Sequence, residues 1–82
     1  MKRDLGTYIK DMSLEDFRKV INKVAGCREF STAFNRGVDN ISKEQRDILE
    51  DLFAQIGVEK PIADYEMKVL ISAISKRAVT YK

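Results

Sequence analysis

The sequence predicts an all-α fold: a compact bundle of four main helices and a short first one, with the last helix central. Three observations carry this. Apolar residues recur at helical spacing in five segments, most segments open on a capping residue or close on glycine, and no stretch alternates apolar and polar residues long enough for a strand. One domain, 1–82, is expected.

The first element, about 4–12, sets Leu5, Tyr8, Ile9 and Met12 at i, i+3, i+4 and i+7, with Asp4 as a candidate cap. Gly6 weakens it, since glycine inside a helix costs about 1 kcal/mol against alanine. The second helix, 14–25, opens on Ser13, with Glu15 and Asp16 favouring the positive helix end. Leu14, Phe17, Val20, Ile21, Val24 and Ala25 fill one arc, Arg18, Lys19, Asn22 and Lys23 the other, and Gly26 suits a left-handed stop. The third, 27–36, aligns Cys27, Phe30, Ala33 and Phe34 and ends before Gly37; Val38–Ile41 forms a turn with two apolar anchors.

Ser42 and Gln45 form a capping box for the fourth helix, 43–56. Its stripe is Ile48, Leu49, Leu52, Phe53 and Ile56, its outer face is acidic, and Gly57 closes it. The last helix, 61–79, takes Pro61 in its first turn, with Asp64 a competing start. Ala63, Met67, Leu70, Ile71, Ile74 and Ala78 make one apolar arc; Ile62, Val69 and Ala73 make a second, divided from the first by Glu66 and Arg77. Two arcs predict a helix wedged between neighbours and covered on both flanks.

With 44% hydrophobic and 34% charged residues, the chain has the composition of a globular protein rather than a disordered one. A single cysteine excludes an intrachain disulfide and points to the cytosol. The charged N-terminus lacks the apolar run of a signal peptide, and the uncharged Val69–Ser75 is far shorter than the about 20 residues a bilayer requires, so no membrane partner is expected.

The net charge of +2 is too small to imply a polyanionic partner, but it is segmented. Arg18, Lys19, Lys23 and Arg28 stand in a stretch without acids; residues 44–66 are strongly acidic; Lys76, Arg77 and Lys82 make the C-terminus basic again. The favoured expectation is that these cations pair with the acidic helix; the other is that they contact a partner protein or nucleic acid.

Histidine is absent, which removes His-based acid–base catalysis, the Ser-His-Asp triad and the usual zinc sites. Asp47, Glu50 and Asp51 share a helix but have the spacing of a solvated face rather than a catalytic pair in a cleft. The scattered glycines form no phosphate loop, and the acids fit no calcium loop. Cys27 is expected as a small apolar packing residue rather than an activated thiol. No catalytic residue, metal, cofactor or small-molecule substrate is expected.

Ala33-Phe34-Asn35-Arg36-Gly37-Val38 resembles the A-x-x-x-G-V core of helix-turn-helix DNA-binding repressors. The resemblance implies a close helix crossing at Ala33, a turn at Gly37 and an anchor at Val38. It covers this hexamer alone. Arg36 and Lys43 stand where the pattern has apolar residues, and Glu44, Asp47, Glu50 and Asp51 would repel phosphate from the following helix. The expected function is a non-catalytic interaction or regulatory protein that docks on a larger partner or forms a homodimer; the alternative is a nucleic-acid-binding regulator using the basic faces.

Overall fold

The computed structural model describes residues 4–80. Among them are α1 (Leu5–Asp11), α2 (Leu14–Ala25), α3 (Arg28–Arg36), a 3₁₀ turn (Val38–Asn40), α4 (Lys43–Gln55) and α5 (Asp64–Thr80), with no strand.

Local chemistry sets most of these boundaries. Asp4 accepts the Thr7 N–H at 3.0 Å and Ser13 accepts the Asp16 N–H at 3.1 Å, each satisfying a donor that has no partner within its helix. Ser42 and Gln45 exchange both bonds of the capping box, at 3.2 and 3.0 Å. At the far end of α4, Val58 N–H donates to Phe53 O and Gly57 N–H to Ala54 O, with Gly57 at φ +101°. That is the Schellman pattern, with Val58 and Phe53 both buried beside it. Gly26 departs from expectation: at φ −91° it is not left-handed, and Cys27 N–H closes the turn on Val24 O.

The last helix starts at Asp64, not Pro61. Glu50 on α4 accepts the Ile62 N–H at 2.8 Å, and Arg46 donates to Ile62 O at 3.2 Å while pairing with Asp64 at 2.7 Å. Both backbone groups of Ile62 are thus bonded to side chains of α4. Its side chain is buried, and the Lys60–Pro61 peptide is cis. Ala63, expected on the buried arc, is an exposed residue just before the helix, and its N–H donates to Glu66.

Every α-helix contributes to one core. Ile9, Phe17, Val20, Leu49, Phe53, Met67, Leu70 and Ile74 are essentially inaccessible, and Phe30 meets Phe53 edge to face at 6.4 Å. Within this core α5 touches α1, α3 and the 3₁₀ turn. Its first apolar arc is buried from Met67 to Ile74, but the second is not sequestered: Val69 is 40% exposed and Ala73 half-buried. Leu14, Ala25, Phe34 and Ile48 are also exposed.

The two arcs of α5 therefore differ in weight. Leu70→Ala is expected to cost about 2–5 kcal/mol, and Val69→Ala less than about 0.5 kcal/mol, measured by urea unfolding. Gly57 is a second test. A Cβ there would stand 2.6 Å from the Tyr8 hydroxyl, which donates to Ile56 O at 2.8 Å. Combined with the positive φ, Gly57→Ala is expected to cost about 1–3 kcal/mol, whereas an alanine at Gly26 is expected to leave the unfolding midpoint unchanged or raised.

Candidate functional site

The cations singled out in the sequence fall into three groups. Arg18 and Lys19 are exposed on α2, and Arg28 is exposed at the start of α3; none makes an ion pair among the described residues. Lys23 donates to Gln55 Oε1 at 2.8 Å. A groove beside Lys19 and Lys23 is also lined by Asp11 and Asp16, so both signs of charge meet there. Lys82 lies outside the described residues.

Arg77 is committed inside the fold. Its guanidinium lies 4.5 Å from the Phe17 ring centroid and donates to Ile9 O at 2.7 Å and Lys10 O at 3.5 Å. One side chain of α5 thereby meets carbonyls near the end of α1 and a ring of α2, where a cation also suits the negative helix end. Arg77→Ala is expected to lower stability by about 1.5–3 kcal/mol. Arg77→Lys, which cannot present the planar fork, should recover less than half of that, with Arg18→Ala near neutral in the same unfolding assay.

The expected pairing of basic faces with the acidic helix is not what the structure has. Among the described residues, α4 pairs with the segment on its C-terminal side, through Lys60–Asp51 and Arg46–Asp64, and Lys68 reaches Asp39 at 2.9 Å. No α2 cation meets an α4 carboxylate among them. The bond to Asp39 raises the Lys68 pKa above the ordinary lysine value, so that its charge is secure at neutral pH, and Asp51 does the same for Lys60. Of the carboxylates considered as a catalytic pair, Glu50 holds Ile62 and Asp51 holds Lys60.

Two depressions flank the outward ridge of α5 formed by Lys68, Ser72 and Lys76. One, about 820 Å³, runs between α1 and α5, with Gly6, Lys10, Val69, Ala73 and Thr80 among its walls. The other, about 390 Å³, is bordered by Phe34, Val38, Ile71 and Ser75. Across this surface Val69, Phe34 and Val79 are 40%, 57% and 80% exposed. Of its cations, Lys76 and Arg77 are singled out by the sequence. Lys10 escapes sequence reasoning because nothing local reveals that α1 lies beside α5.

The A-x-x-x-G-V hexamer does build a turn. Ala33 and Val38 are buried and Gly37 has φ +93°. The outer face of the next helix nonetheless presents exposed Glu44, Asp47 and Asp51. Cys27 is half-buried at the core edge, its Sγ 3.7 Å from Glu29 Oε1. No helix among the described residues is long and apolar enough to cross a membrane. In comparisons with known proteins the chain matches no family model, no curated protein and no solved structure.

Proposed function

We propose that this chain is a non-catalytic interaction protein that docks on a protein partner through the outer face of α5. The observation that carries the reading is the incomplete cover of that helix. It supplies fully buried core residues, Met67, Leu70 and Ile74, yet Val69 and Val79 stay exposed on its outer side and Phe34 continues the apolar surface onto α3. Apolar side chains that are left open around a basic ridge fit an interface better than a solvated face. The single free cysteine is consistent with action in the cytoplasm.

The α2 cations suit nucleic acid less well, since Asp11 and Asp16 share the groove beside them and Lys23 is bonded to Gln55. The two readings separate in one experiment. A photo-crosslinking residue is placed at Ser72, at Lys19 or at Asp47 in the cells of origin. Docking through α5 is expected to give one protein adduct from Ser72 only. The adduct, identified and purified, should rebind the chain and lose affinity at least about tenfold on Val69→Asp, with the unfolding midpoint unchanged. A nucleic-acid adduct from Lys19, with nothing from Ser72, would replace this reading with the alternative.

A further inference from the structure

We infer that the trough between α1 and α5 receives an acidic amphipathic helix of the partner protein; this rests on the docking role proposed for the outer face of α5. The walls limit what can lie there. Both are α-helices, so the trough offers no strand edge for an extended peptide, and it lacks the aromatic walls that hold a polyproline segment; a helix laid in the groove is the mode that fits.

The floor is shallow in side chains. Gly6, Ser72 and Ala73 leave room for another backbone to come close, and Val69 gives an apolar contact. Nothing within the chain requires glycine at position 6. A Cβ there would sit in ordinary contact, 3.6 Å from Val69 Cγ1 and 3.6 Å from Asp4 Oδ1. The weakened helix is explained if the missing side chain makes room for an occupant.

The charge is one-sided. Lys10, Lys68, Lys76 and Arg77 border the trough, Lys68 paired with Asp39 and Arg77 held on the α1 carbonyls, and no carboxylate lines it among the described residues. Asp4, at the Gly6 end, is occupied with Thr7, accepting from its N–H and its hydroxyl. Lys10 and Lys76 are in no ion pair among the described residues. The two cations left open, Lys10 on α1 and Lys76 on α5, border the trough from either bank, where the carboxylates of a partner helix would meet them. An apolar floor without an aromatic ring offers no platform for stacked bases, and a concave surface suits a bilayer poorly.

The test uses the full chain and a fluorescent helical peptide of roughly 18 residues, with an Ala/Leu stripe between two rows of Glu. Its probes for comparison are the same peptide with Lys for Glu, a DNA duplex and anionic vesicles. The acidic peptide is expected to bind at least about tenfold tighter than the basic one, with amide shifts centred on Gly6, Val69, Ala73 and Lys76. Lys10→Glu with Lys76→Glu should reverse the preference, and Gly6→Leu should weaken binding at unchanged helicity. Should Gly6→Leu fail to fold, the exposed lysine pair decides. The inference is overturned by equal affinity for both peptides, by shifts elsewhere, or by tighter binding to duplex or vesicles. It is also overturned if the chain alone sediments as a dimer that Lys76→Glu abolishes, since the trough would then be covered by a second copy. Any of these leaves the Ser72 adduct to judge the docking role on its own.

Discussion

The thinness of the core governs the rest of this structure. The Cα atoms span 32 × 30 × 19 Å, and the short axis accommodates only two helix layers at the usual separation of about 8–10 Å. In two layers every helix buries one side. A chain of this length lacks the residues for a third layer, so even α5, which carries apolar residues on two arcs, has its outer arc only partly covered. The open surface on α5 follows from an excess of apolar residues over available cover.

Electrostatics then act locally. The ion pairs on the described residues lie at the surface and contribute little individually. What does organise the chain is the charge-assisted contact at two joints. Arg46 and Glu50 tie the segment before α5 to α4, by holding the backbone of Ile62. Arg77 fixes how α1 lies on α5, by meeting the carbonyls of Ile9 and Lys10 over Phe17. Each joint rests on charged hydrogen bonds to backbone groups, which are stronger than neutral ones.

Much of this fold is legible in the chain. Asp4, Ser13, the Ser42–Gln45 box and Gly57 are local devices, and the helices they bound lie within a few residues of the expected positions. The features that stay hidden depend on distant partners. Pro61 is an ordinary helix opener until Glu50 and Arg46 take the next residue. Leu14, Phe34 and Ile48 sit at helical spacing, but periodicity gives the direction of a stripe and not the width of the neighbour that covers it. The candidate face is legible only in part. Lys76 stands out in the sequence and Lys10 does not, while Arg77 reads as a surface cation although its position between the two arcs already hints at a packed one.

The short α1 has a wider role than its seven residues suggest. It is attached on one side by Arg77 and on the other by the Tyr8 hydroxyl on Ile56 O, and it forms one bank of the trough. Were α1 to detach, that bank would go with it. Occupancy and attachment are therefore thermodynamically linked: anything seated against both helices selects molecules with α1 in place and slows amide exchange along it. A segment too short to be helical by itself would thus be the part of the chain whose local order reports on occupancy of the trough.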